Sequence, residues 1–220
     1  GRASLAVGGG GPGARGGGSG PASGAVTPLA ATAATLHRDG LDREPRYDSM
    51  WAVPLDELAA QWTYIEHTLF CAIPTAEFLA CGWDKARHEH QADAFRRYVD
   101  HFNAMALWVT AEVLAPATTR ERAAMIVRFV KLGVLMRCHN NFSALVQLCL
   151  GLRRGCISRL RDEWDLVPPA AMEKLRALFT ITDGARNYRA YKEALKLVPP
   201  RVPIVPHLGA HTAELTMQVR

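Results

Sequence analysis

Between positions 137 and 160 the chain reads RCHNNFSALVQLCLGLRRGCISRL, with apolar residues at Phe142, Leu145, Val146, Leu148, Cys149 and Leu152. That spacing is close to i, i+3, i+4, i+7 and predicts a helix. The segment is apolar almost all round, so the helix is expected to be covered on several sides. Asn140 and Asn141 stand just before it, where an amide oxygen can cap free backbone N–H groups. Gly151 weakens its far end, and Gly155 lets the chain turn. The turn carries Arg153, Arg154 and Arg159, a basic corner expected at the domain surface.

The same periodicity recurs on both sides. A helix is predicted over 55–73, with Leu55, Leu58, Trp62, Ile65 and Leu69 on one stripe, Asp56 and Glu57 in its first turn, and Pro74 at its end. A shorter helix is predicted over 75–83, capped by Thr75, and then a polar loop over 85–93. A long helix follows over 92–114, striped by Phe95, Val99, Phe102, Met105 or Ala106, Val109 and Val113, and closed by Pro116. Thr118-x-x-Glu121 fits a capping box, opening a helix striped by Ala123, Ile126, Val127, Val130 and Val134. Beyond the basic corner, Pro168 can occupy a first helical turn, continued by Met172, Leu175, Leu178 and Phe179. Asp183-Gly184 reads as a turn. Tyr188, Tyr191, Leu195 and Val198 stripe the next helix, and the tyrosine pair reads as core with its hydroxyls at the edge. Pro199, Pro200, Pro203 and Pro206 force an extended segment. The last stretch, 207–220, can be helical, although Gly209 and the threonines make it a poor former. Long, closely linked helices without a strand pattern argue an all-α orthogonal bundle.

Composition changes this picture at one end. Residues 1–46 hold most of the glycines, in GGGGPGARGGGSG and the Ala/Pro-rich run after it. No Gly-Lys-Ser/Thr follows, and neither a strand precedes nor a helix follows, which excludes a phosphate loop. The segment is expected to be a disordered tail, with one domain over 47–220. The chain has 220 residues, is 49% hydrophobic, and carries a net charge of +5. That supports a real core and is too weakly basic to indicate a nucleic-acid partner. Five cysteines form no CxxC pair. Cys71, Cys138 and Cys149 lie in apolar helical patterns and are expected to be buried free thiols, in a reducing compartment. The longest apolar run is too short to span a membrane, so a cytoplasmic protein, recruited at most peripherally to a membrane's inner face, is expected. His88, Glu89 and His90 place neighbours on different helix faces and read as a solvated loop, so no metal site is expected. No nucleophile–base pair or paired carboxylates at functional spacing stand out.

The ordered motifs resemble the catalytic domain of guanine-nucleotide exchange factors for Ras-family GTPases, the RasGEF domain found in Son of sevenless. Asn140-Asn141-Phe142, the apolar helix to Gly151-Leu152 and Ser158-Arg159-Leu160 match one block. Positions 58–70 (LAAQWTYIEHTLF) resemble the opening helix, and Phe102-Asn103 with Trp108-Val109 the second long one. Asn187-Tyr188-Arg189-Ala190-Tyr191, Ala194-Leu195 and Pro199-Pro200 resemble the tyrosine-bearing helix before the exchange hairpin. The resemblance covers about 55–220.

It implies an exchange factor that makes and breaks no bond and needs no cofactor, acting on Ras, Rap or Ral. A helical hairpin would wedge beside the nucleotide, while one switch segment is held against the 142–152 helix. The implied GTPase-contacting residues are Val146, Arg153, Arg159, His207, Ala213, Thr216, Met217 and Arg220. Arg153 stands where the family often has a small polar residue, and Arg220 where an acid often approaches the metal and phosphates. The chain is expected to stop within the hairpin, and no helical module of the kind that precedes the family's catalytic domains is recognisable in 1–46. These departures make a non-catalytic binding module for a small GTPase or another signalling partner the alternative. An unrelated helical interaction domain predicts repeats at a fixed period, and none is present.

Overall fold

In the computed structural model the described residues are 50–79 and 92–219, and they form an all-α bundle. A short 3-10 turn (Met50–Ala52) precedes α1 (Leu55–Cys71) and α2 (Thr75–Leu79). Two long helices follow, α3 (Asp93–Leu114) and α4 (Thr119–Cys138). Then come α5 (Phe142–Arg153), the short α6 (Gly155–Ser158) and α7 (Arg161–Asp165), α8 (Pro169–Ile181), α9 (Ala185–Lys196) and α10 (Leu208–Val219). The expected tail over 1–46 and the 88–90 loop lie outside the described residues, as does the predicted end of α2. No helix among the described residues is long and apolar enough to cross a membrane, and no metal-ligating cluster occurs there.

Helix α5 is the centre. It packs against α1, α3, α4, α6 and α8, and only Leu150 and Arg153 among its twelve residues are exposed. The asparagine pair makes the tight α4–α5 turn. Asn140 sits in the left-handed region at φ 53°, a conformation asparagine tolerates better than most residues. Asn141 caps α5, its Oδ1 accepting from the Ala144 amide at 3.0 Å. Thr118 and Glu121 form the capping box of α4, with both reciprocal bonds present.

Two features depart from the stripes read in sequence. On α1, Ile65 is 47% exposed, whereas Thr63 and Glu66 are buried. The helix is turned so that a carboxyl group enters the core. Glu66 accepts from Ser143 Oγ at 2.9 Å and Gln147 Nε2 at 2.7 Å, both on α5, and faces His101 Nε2 of α3 at 2.9 Å. Tyr98 donates to the same Ser143 hydroxyl at 2.7 Å, and burial, reinforced by Glu66, pushes its own ionisation far above the ordinary phenol range. The expected burial of three cysteines also fails for two of them: Cys149 is buried, but Cys71 and Cys138 are exposed. Both occupy the last position of their helices, where the apolar stripe runs out past the packed turns.

The two glycines of the central stretch exchange roles. Gly155 adopts no positive φ and a Cβ there would meet nothing. The turn is made instead by Arg154, extended at φ −57° and ψ 142°. Gly151, expected only to weaken α5, is where α3 crosses it. A Cβ there would lie 2.7 Å from the Ala106 carbonyl oxygen and 2.7 Å from Val109 Cβ. Thr110 donates to the Gly151 carbonyl at 3.0 Å across the same contact. Gly151→Ala is therefore expected to destabilise the domain by about 2 kcal/mol in urea unfolding, overpacking outweighing the gain of ~1 kcal/mol in helix propensity. A stabilised variant would show that α3 and α5 can separate freely.

Candidate functional site

The site is assembled at the two ends of α5. At its N-terminal end the proline-rich segment after α9 lies along the chain. Val205 accepts from the Phe142 amide at 2.9 Å, and its own amide donates to the Asn140 carbonyl at 3.1 Å. This isolated bridge between Asn141 and Val205 is parallel, and α10 begins three residues later. The prolines suit this: they keep the segment extended and leave Val205 to make the pairing bonds.

Tyr191 of α9 fills the angle between that segment and α10. It is 1% exposed, and its ring meets Phe142 edge-on at 5.2 Å. Its hydroxyl accepts from the His207 amide at 3.1 Å and is 2.9 Å from His211 Nε2 on the first turn of α10. Burial pushes the Tyr191 hydroxyl up to about 12. The His207 ring stacks on Phe102 at 5.5 Å and meets Tyr188 edge-on at 5.3 Å. Burial in this aromatic box, with His211 beside it, pulls His207 down to about 4, so it is neutral at physiological pH. Lys192 pairs with Glu214 and closes the outer edge of the joint.

The chain reaches this joint through a reversal of hand. Arg186, Asn187 and Tyr188 lie at φ 53°, 55° and 56°, three consecutive left-handed residues within the span of α9. Each costs roughly 1–2 kcal/mol outside glycine. The turn delivers Tyr188 to the His207 ring and Tyr191 to Phe142. Only Asn187 of the three is a residue that tolerates this region well, and no glycine marks the run.

At the other end of α5 stand Leu150, 44% exposed, and the basic corner. Arg153 is turned onto its own fold: Nη2 donates to the Phe179 carbonyl at 2.6 Å, and the guanidinium lies over the Phe179 ring at 4.3 Å. Arg159 is exposed. Val146, expected to face a partner, is buried at 4%. Ala213, Thr216 and Met217 lie on α10, and Arg220 lies outside the described residues. Of the expected site residues that are described, Arg153 and Arg159 stand at the α5 corner, Val146 lies within α5, His207 stands at the α9–α10 joint, and Ala213, Thr216 and Met217 lie along α10. Leu150, unremarked in the sequence reading, is exposed on α5 one turn after Val146. Sequence reasoning missed Phe102 as a wall of the His207 box, because that contact joins elements far apart in the chain.

The chain matches the family model described as the RasGEF domain over residues 57–219. It is 29% identical over 171 residues to a Ras guanine nucleotide exchange factor G of Dictyostelium discoideum, covering 78% of this chain and 11% of that protein. It is 30% identical over 174 residues to a Ras-specific guanine nucleotide-releasing factor 2 of Rattus norvegicus, covering 78% and 14%. A zebrafish (Danio rerio) protein of the same description is 29% identical over 174 residues, covering 78% and 14%. The chain belongs to the RasGEF-domain family. It spans between 11% and 27% of the length of such relatives.

The His207 box carries a pH signature. The unfolded histidine titrates near 6.5 and the folded one near 4, so between those values the unfolded chain binds more protons and stability rises with pH. About 3 kcal/mol is present above pH 6.5 and is lost as pH falls toward 4. His211, Lys192 and Glu214 are the charged or titratable neighbours that shape this slope, with Tyr188 and Tyr191. Urea unfolding between pH 4.5 and 7.5 should show it, and His207→Phe should flatten it. A slope unchanged in that variant would assign the titration elsewhere.

Proposed function

We propose that this chain supplies the exchange domain of a guanine-nucleotide exchange factor for a Ras-family small GTPase: Ras, Rap or Ral. One observation carries the reading beyond family membership. The segment before α10 is locked to the start of α5, which supports a reading with α10 as the exchange helix and α5 as the switch-binding helix on one frame. Such a protein performs no covalent chemistry. It releases a tightly held nucleotide by binding the nucleotide-free GTPase better than the loaded one, which is a coupling between two ligands of the GTPase. In this reading α10 enters beside the nucleotide, Leu150 and the corner meet the second switch, and no cofactor takes part.

A second reading is a non-catalytic binding module that keeps the fold. Arg153 favours it, since its guanidinium is engaged by the Phe179 carbonyl and ring of its own fold.

Release of fluorescent GDP from Ras, Rap and Ral, with this chain added at rising concentration, separates the two. The exchange reading expects at least a tenfold acceleration for one GTPase, together with binding to its nucleotide-free form. Leu150→Asp should then reduce both by about tenfold, since it places a charge in an apolar contact. Binding without acceleration would support the module. Neither binding nor acceleration, from a folded sample, would overturn both.

A further inference from the structure

We infer that Tyr191 is the positioning residue for α10: its hydroxyl, held between the His207 amide and the His211 imidazole, fixes the pose in which that helix leaves the bundle. The functional half of this rests on the exchange reading above; the structural half does not.

The argument starts from what holds α10. The helix begins at Leu208, directly after the segment paired with the Asn140–Phe142 turn. That pairing fixes where the chain arrives, but the backbone bonds at Val205 leave its onward direction free. Direction needs contacts on the first turn of α10 itself. Leu208 packs with Ile73, Phe95 and Tyr98, and Ala210 enters the main core, while the polar contacts at this end of α10 come from α9. Tyr191 is bonded to the residue before the helix, His207, and to the residue one turn on, His211. Lys192 reaches Glu214, three residues further along α10. The ring contacts repeat the pattern: Tyr191 meets His207 at 6.2 Å and His211 at 5.8 Å, both edge-on.

Of these, Tyr191 alone is anchored at its back as well. Its ring abuts Phe142, the first residue of α5, and is 1% exposed. Tyr191 is thus a rigid strut between α5 and α10, with only two torsions to lose. Lys192 is a flexible, half-buried side chain whose ion pair is worth little by comparison. Gly209 tightens the fit. A Cβ at that position would lie 2.8 Å from His207 Nε2, so His207 is trapped between the glycine and the aromatic box.

The hydroxyl is the part to test, because removing it keeps the ring. Tyr191→Phe should leave the thermal midpoint within a few degrees of the parent, since the packed ring remains. Backbone hydrogen exchange across residues 208–219 should accelerate at least tenfold, with α4 and α5 unchanged. His211→Leu should accelerate the same amides, whereas His211→Gln, which keeps a hydrogen-bonding side-chain end, should restore most of the protection. If the parent accelerates GDP release, Tyr191→Phe should lower the maximal rate more than it weakens binding to the nucleotide-free GTPase. A merely structural role would move the midpoint and all regions together.

Unchanged exchange over 208–219 in both Tyr191→Phe and His211→Leu overturns the inference, whatever the GTPase assays give. Equal loosening of α4, α5 and α10 also overturns it, because Tyr191 would then be ordinary core. A parent chain without GDP-release activity, with α10 alone loosened in the variants, upholds the strut and refutes the exchange reading. Loosened α10 with unaltered GDP release would limit Tyr191 to holding the helix and remove its role in exchange.

Discussion

Everything in this bundle depends on a carboxyl group in the wrong place. Glu66 is fully buried, and a carboxyl group in an apolar interior costs several kcal/mol unless its oxygens are satisfied. Here Ser143, Gln147 and His101 surround it, so one side chain of α1 ties α3 to α5. Apolar packing alone would let these helices rotate or slide by a residue at modest cost. A polar network has one register in which its bonds close, and the others leave buried groups unpaired. The position of α5 within the bundle is fixed by chemistry as well as by volume.

What α5 then offers is a reference surface. On one flank α3 approaches so closely that only glycine fits at position 151. At its N-terminus Asn140 and Asn141 divide the work of the turn, one by accepting a left-handed conformation and the other by capping. The Val205 segment docks onto that turn, and Tyr191 on Phe142. The N-terminal end of one helix therefore carries both connections that lead to α10. This arrangement holds α5 and α10 on a single support, so that a partner touching both would lose little binding energy in ordering them.

Much of the fold was legible because its signals are local. Helical periodicity, the Thr118–Glu121 box and the Asn141 cap each lie within a few residues and appear as read. The motif order pointed to the family for the same reason. The failures share a different cause. Ile65 and Glu66 are adjacent, and which of them enters the core is decided by His101, Ser143 and Gln147, residues 35 to 81 positions away. Gly151 was read for its propensity, whereas its role is steric and set by Ala106 and Val109. The left-handed run at 186–188 has no glycine to announce it. Arg153 stood out as a charge, but an aromatic ring and a carbonyl on α8 decide where that charge goes.

The thiols divide in a way that gives the protein an internal clock. Cys71 and Cys138 meet solvent, while Cys149 lies inside α5 with its ionisation pushed up to about 11 by burial. Nucleophilic attack by sulfur needs the thiolate, and a closed α5 supplies almost none. Alkylation of the exposed pair would proceed on the folded molecule at the pace of the reagent. Alkylation of Cys149 must wait for the centre of the bundle to open, so its rate counts those openings one molecule at a time.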